Sequence, residues 1–297
     1  MSVPTTSAQS EPSASNRRRA IARRVADAHR GIDDASLLAF VTSSGTESAA
    51  DSKADVDMSV VFLSLPQQGV LEQACARAGG TPWLWSQGSL SDAGMLVAFQ
   101  VDGVEVQVSY SDHATLNREV DALLLQDTPD TPMHKLGESI LKAEPLAGRS
   151  ELARLQARLT TFPPELARAM VKHFLAAPTP WKAISQIAER EATLWCREVQ
   201  VDACYRLCGV SAALSRRYFT RFQVKRMRPH SARFEHAPAD LAERIERVMQ
   251  AQPRDAFAQL YELEGDVLEL VARTMPQIDL GAVRSRRAAY HPSPLTP

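Results

Sequence analysis

The chain has little of what marks disulfide-stabilised, zinc-binding or membrane-spanning proteins. Only four of its 297 residues are cysteine, and their spacing matches neither a disulfide framework nor a zinc site. No apolar run reaches the roughly 18 residues that span a bilayer, and no secretory-type apolar stretch follows the N-terminal arginines. The net charge is -1, from 34 basic and 35 acidic residues, so the whole chain carries no strong field toward nucleic acid or an anionic membrane. These absences favour a reduced, cytoplasmic protein in which Cys204 and Cys208 are core thiols.

The two ends of the chain differ from the rest in composition. Residues 1–16 are rich in Ser, Thr, Pro and Ala, which predicts a disordered segment, and residues 284–297 are predicted to form a tail. Arginines follow at positions 17, 18, 19, 23 and 24. They fit an organellar transit peptide, a nucleic-acid-binding arm, or an amphipathic helix with Ile21, Val25 and Ala28 inward and the arginines in solvent. The helical spacing of the apolar residues favours the third interpretation.

Between these ends the hydrophobic pattern changes once. Alternating apolar residues predict strands at 37–42, 58–65, 95–101 and 104–110, with a helix at 67–78. Asp102-Gly103 is the strongest hairpin signal in the chain. Beyond a predicted helix cap at Ser111-Asp112 and a linker at 127–132, helices are predicted at 139–143, 150–159, 164–175, 181–208, 239–250 and 255–274. The pattern therefore predicts an α+β domain at residues 17–126 and a helical bundle domain at residues 133–283.

Two aspartates stand two residues apart at the start of an apolar strand. Asp55 and Asp57 are expected on one face, because successive strand residues point to opposite faces. Two carboxylates this close suit a hard cation such as Mg²⁺, which binds carboxylate oxygens and substrate phosphates. Glu105 and Gln107 also share a face of the predicted hairpin, so Glu105 is a candidate third carboxylate. The alternative for each acidic residue is a solvated strand face.

This pattern resembles the nucleotidyltransferase superfamily related to DNA polymerase beta. That family has a Gly-Ser turn, then Asp-x-Asp, then a lone Asp or Glu on a later strand. Here Ser43-Ser44 stands at the Gly-Ser position, Ser48 stands at a second usual glycine, and Asp55 and Asp57 match the paired aspartates. Among relatives, the chain looks most similar to small bacterial enzymes of the lincosamide and aminoglycoside nucleotidyltransferase type.

The resemblance implies the fold, the reaction and the residues that perform it. It implies a small mixed nucleotidyltransferase sheet with flanking helices, followed by a C-terminal helical bundle. Asp55, Asp57 and Glu105 would be the catalytic and magnesium-binding residues, and Ser43 and Ser44 would contact the triphosphate. Residues 210–227 are similar to a second conserved segment of these enzymes, which implies nucleotide-binding roles for Arg217, Tyr218 and Lys225. The alternative for this segment is a basic helix end with solvated arginines.

The implied reaction moves a nucleoside monophosphate from a nucleoside triphosphate, expected to be ATP, to a hydroxyl of a small-molecule acceptor, with release of pyrophosphate. Neither a membrane nor a long nucleic acid is expected as partner, and the helical segments are compatible with a homodimer without requiring one. An alternative is a catalytically weak nucleotide-binding or protein-interaction member of the same fold. Two departures from the family pattern motivate it: serines stand at usual glycine positions, and the third carboxylate is a glutamate.

Overall fold

Alternating apolar residues in the first half of the chain form a mixed sheet. The structure is a computed structural model, and it describes residues 14–33, 36–42, 54–92, 94–125, 127–177, 192–221 and 227–288, with single residues at 179, 181, 184, 188, 190 and 224. The strands are β1 Leu38–Thr42, β2 Val56–Phe62, β3 Trp85–Ser89, β4 Gly94–Val101, β5 Val104–Asp112 and β6 Glu144–Ala147. They form a six-stranded sheet in the order β3-β4-β5-β2-β1-β6. β2 and β5 are parallel, and the other neighbouring pairs are antiparallel.

Helices flank the sheet in sequence and dominate the rest of the chain. They are α1 Ala14–Arg30, α2 Gln68–Arg77, α3 His113–Leu125, α4 Met133–Lys142, α5 Arg149–Thr160, α6 Pro164–Ala176, α7 Thr193–Leu214, α8 Met227–Ser231, α9 Leu241–Gln250, α10 Pro253–Thr274 and α11 Gly281–Ala288. None of the helices described is long and apolar enough to cross a membrane. The architecture is the predicted α+β class, a mixed sheet with flanking helices followed by C-terminal helices.

The turn chemistry at both ends of β5 confirms two local predictions. Asp102 and Gly103 have φ values of 52° and 74°, and two successive residues with positive φ make the mirror-image turn that joins twisted antiparallel strands. Glycine is favoured at the second position because it has no Cβ to clash there. At the other end the backbone N–H of Thr115 donates to Asp112 Oδ1 at 2.7 Å, which caps the N-terminus of α3.

One face of the sheet is covered by α1 and α2. The apolar positions of β2 and β5 alternate with polar ones and pack on this side in one buried cluster with the inward residues of both helices. Ile21 and Val25 of α1 lie in that cluster as predicted, and Ala28 packs against it. Arg18 does not follow the prediction, because it is buried instead of solvated.

Three polar side chains form a hydrogen-bonded chain inside this core. His29, Tyr110 and Cys75 are each at most 1% exposed. His29 Nδ1 lies 2.7 Å from the carbonyl of Val25, and a carbonyl can only accept, so the hydrogen is on Nδ1. Nε2 therefore accepts from the Tyr110 hydroxyl at 2.8 Å, and the Cys75 thiol donates to the same hydroxyl oxygen at 3.4 Å. Burial lowers the pKa of His29 and raises those of Cys75 and Tyr110, so all three side chains are neutral near neutral pH.

The chain forms two compact units that do not follow the predicted domain boundary. Unit 1 consists of residues 1–122 and 139–160, and unit 2 of residues 123–138 and 161–297. Residues 139–160 were expected in the helical domain, but β6 pairs with β1 at the edge of the sheet. Because this pairing brings a later segment back to the first strand, unit 1 is discontinuous in sequence.

Several element predictions need correction. The sequence pattern does not reveal β3, whose residues are mostly exposed, or β6, which contains Pro145. α4 begins at Met133, six residues before the predicted start, and α7 continues to Leu214, beyond the predicted end. α1 begins at Ala14, inside the segment predicted to be disordered, and α11 extends to Ala288, inside the predicted tail.

Unit 2 contains a close helix contact and a strained helix end. A Cβ on Gly209 of α7 would lie 2.5 Å from the Phe174 ring of α6, so only glycine allows this approach. α7 ends with two backbone bonds, Arg216 N–H to the Ala213 carbonyl at 3.1 Å and Arg217 N–H to the Ala212 carbonyl at 2.9 Å. This is the Schellman pattern, in which the residue after the cap is usually glycine. Here that residue is Arg216, with φ 53°.

Candidate functional site

The face of the sheet opposite α1 and α2 carries a strip of polar side chains. On β2 and just before it lie Asp55, Asp57 and Ser59, and on β5 lie Glu105, Gln107 and Ser109. All are half-buried, whereas the residues between them on both strands are buried in the core. In the parallel register Asp57 pairs with Gln107 and Ser59 with Ser109, so the strip runs across two neighbouring strands. The predicted metal-binding residues Asp55, Asp57 and Glu105 therefore lie on one face of unit 1.

Gln107 links two of these carboxylates. Its side-chain nitrogen donates to Glu105 Oε1 at 3.0 Å and to Asp55 Oδ2 at 3.3 Å. These contacts place the side chain of Asp55 on the same face as Glu105, although Asp55 precedes the first residue of β2. The sequence indicated that Glu105 and Gln107 share a face, but the contact with Asp55 depends on a strand register that no local pattern reveals.

A buried arginine fixes the backbone at the start of β2. Arg18 of α1 is 3% exposed, and its Nε donates to the carbonyl of Ala54 at 2.6 Å while Nη1 donates to the carbonyl of Ala14 at 3.0 Å. Ala54 directly precedes Asp55, so Arg18 anchors the segment that leads into the aspartate pair. Sequence reasoning missed this role, because five nearby arginines look alike and only the helix position distinguishes the inward one.

The donor chemistry of this face suits a hard cation. The three carboxylates of Asp55, Asp57 and Glu105 supply oxygen atoms, which are the ligands that Mg²⁺ prefers. The part of the chain that the structure describes contains no group of three or more His, Cys, Asp or Glu side chains already arranged around one metal position. In the structure the Asp55 and Glu105 oxygens are directed to the Gln107 amide.

The predicted nucleotide-binding residues of unit 2 do not form an exposed group. Tyr218 is 1% exposed, and its ring packs 4.8 Å from that of Phe162 and 5.8 Å from that of His134. Burial raises the pKa of its hydroxyl to about 12. This corrects the prediction for Tyr218, which belongs to the core of unit 2 and offers no surface to a nucleotide.

Arg217 is half-buried in the same unit. Burial raises the pKa of Glu138, and the nearby guanidinium groups of Arg217 and Arg233 oppose that rise. Arg217 thus has an acidic neighbour within unit 2. The remaining predicted site residues, Ser43, Ser44 and Lys225, lie outside the described residues.

Comparisons with known proteins do not assign the chain to a family. No protein-family model matches the chain, and no curated protein matches it. A search of solved structures found a nucleotidyltransferase-like protein from Exiguobacterium sibiricum, with a TM-score of 0.41 and 12% identity over 85% of this chain and 80% of that one. Because so low a TM-score does not separate a shared fold from a chance likeness, we draw no conclusion from it.

Proposed function

We propose that the chain is a magnesium-dependent nucleotidyltransferase that moves a nucleoside monophosphate from a nucleoside triphosphate to a hydroxyl of a small-molecule acceptor and releases pyrophosphate. The observation that carries the proposal is the placement of Asp55, Asp57 and Glu105 on one face of two adjacent parallel strands. This placement agrees with the sequence resemblance to the polymerase-beta-related superfamily.

In this proposal the carboxylate oxygens of Asp55, Asp57 and Glu105 hold magnesium. When bound, magnesium neutralises negative charge on the triphosphate and on the attacking oxygen. Glu105 is also proposed to accept the proton of the acceptor hydroxyl as a general base. Ser43 and Ser44 are proposed to hold the terminal phosphates, and Arg217 and Lys225 to supply positive charge from the second half of the chain. ATP is the proposed donor.

The test is pyrophosphate release with magnesium from each common ribonucleoside triphosphate. The acceptor panel contains hydroxylated small molecules, including aminoglycosides and lincosamides. Asp57→Asn is expected to abolish release while leaving the fold intact, because it keeps the side-chain size and removes the charge. Asp27→Asn is the matched control, since Asp27 is an aspartate of α1 whose side chain is 68% exposed. Release that persists in Asp57→Asn would refute the proposed site.

A second candidate is a protein that binds nucleotide without transferring it. The observation that favours it is the register, which places the neutral amide of Gln107, and not a carboxylate, directly beside Asp57. Such a protein would bind a triphosphate with magnesium in equilibrium dialysis and release no pyrophosphate with any acceptor. Release that depends on an acceptor would exclude this candidate.

A further inference from the structure

The side-chain amide of Gln107 donates hydrogen bonds to two carboxylates of the candidate site. The donor distances are 3.0 Å to Glu105 Oε1 and 3.3 Å to Asp55 Oδ2. Ionised carboxylates only accept hydrogen bonds, so the nitrogen of the amide, and not its oxygen, must face them. One NH₂ group has two hydrogens, which is enough for one hydrogen bond to each carboxylate.

This contact has a physical effect on the carboxylates. Asp55 and Glu105 are like charges on one half-buried face, and Coulomb repulsion pushes them apart unless a donor or cation lies between them. The two hydrogen bonds from Gln107 engage one oxygen of each carboxylate. A carboxylate has two oxygens, and either oxygen can serve as a ligand for a hard cation. A shorter amide would not reach both groups, and an apolar side chain would reach neither.

We propose that Gln107 is a positioning residue that orients Asp55 and Glu105 for a divalent cation without binding the cation itself. The proposal rests on the magnesium site of the proposed function and adds a residue to it. Hydrogen-bond partners of metal-ligating carboxylates typically change metal affinity by about 10- to 100-fold when they are removed. Gln107 is a hydrogen-bond partner of this kind, because it contacts both Asp55 and Glu105. It also pairs with Asp57 in the β2–β5 register, which places it in the middle of the polar strip.

The experiment is calorimetric titration of the full chain with Mg²⁺, repeated with Mn²⁺, in the absence of nucleotide. Gln107→Met keeps the length of the side chain and removes both donors, so we expect about 10- to 100-fold weaker binding. Gln107→Asn keeps the donors but is one methylene shorter, and we expect an intermediate loss. Gln87→Met is the matched control, because Gln87 is an exposed glutamine on β3 of the same sheet, and its affinity should equal that of the wild type.

A double-mutant cycle separates positioning from a general structural effect. If Gln107 acts through Glu105, the combined loss in Glu105→Gln with Gln107→Met is smaller than the product of the two single losses. Losses that multiply independently, or wild-type affinity in both Gln107 variants, would overturn the positioning role. If both Gln107 variants keep wild-type affinity but Asp57→Asn no longer binds the cation, the role of Gln107 is wrong and the proposed function is still supported. A wild-type chain that binds neither cation would overturn both the metal site and the role of Gln107.

Discussion

The hydroxyl of Tyr110 holds together the buried chain of His29, Tyr110 and Cys75, and Tyr110→Phe tests what that hydroxyl contributes to stability. The phenylalanine ring keeps the packing of Tyr110, which lies 6.4 Å from the Phe62 ring and 5.4 Å from the His29 ring. The substitution removes the donor 2.8 Å from His29 Nε2 and the acceptor 3.4 Å from Cys75 Sγ. No water can replace it without a cavity, since the site is 0% exposed at both His29 and Tyr110.

The magnitude follows from the groups left behind. A buried acceptor without a donor costs about 1–3 kcal/mol, and the thiol, as a weak donor, adds little. Hydrogen exchange with peptide resolution is the suitable assay, because it separates unit 1 from unit 2. Amides of α1 and β5 that exchange only when unit 1 unfolds should exchange on the order of tenfold to a hundredfold faster in Tyr110→Phe.

Peptides of unit 2 serve as the internal reference, and Tyr205→Phe, a half-buried tyrosine of unit 2, is the matched variant. It should leave the exchange of unit 1 unchanged. Unchanged protection of α1 and β5 in Tyr110→Phe would refute the reasoning, because the hydroxyl would then contribute no net stability.

Three further predictions concern pH and two backbone positions. Burial holds the pKa of His29 in the folded protein below 6.5, so the unfolded state takes up a proton first as the pH falls. The stability of unit 1 should therefore decrease as the pH drops below about 6.5. His29→Gln should flatten this pH dependence in denaturant titrations, and an equal pH dependence in both proteins would contradict the prediction. Gly209→Ala should lower the stability of unit 2 by about 1–3 kcal/mol in thermal melts, since the clash with Phe174 outweighs the better helix propensity of alanine, and a raised melting temperature would contradict this. Arg216→Gly should raise stability by about 0.5–1 kcal/mol by relieving the positive φ at the end of α7, whereas Arg217→Gly, at the neighbouring residue, should not.

Local chemistry predicted much of unit 1. The β4–β5 hairpin follows from Asp102-Gly103, and the cap of α3 follows from Asp112, because both depend on residues adjacent in sequence. The strand predicted at 58–65 lies at Val56–Phe62, so it begins two residues earlier, contains Asp57 and starts directly after Asp55. β3 and β6 escaped detection because edge strands need only one hydrogen-bonded neighbour and little apolar alternation.

The errors at individual side chains have a different origin. Arg18 and Tyr218 carry polar groups that usually face water or ligand, and only tertiary packing decides that both are buried here. The pairing of Asp57 with Gln107 depends on the register of two strands separated by α2, β3 and β4. A local sequence pattern does not reveal which residues of two distant strands pair. The hydrogen bond from Gln107 to Asp55 therefore became visible only in the three-dimensional structure.

The return of residues 139–160 to unit 1 has a consequence for how the protein is made. β1 has β2 on one side, and β6 on the other arrives only after the residues assigned to α3 and α4 have been translated. During synthesis the β1 edge stays unpaired for this interval, while its backbone groups are able to bind a neighbouring nascent chain. A protein truncated at residue 126 would keep that edge open permanently, so it should aggregate, whereas one that ends at residue 160 has every strand of the sheet.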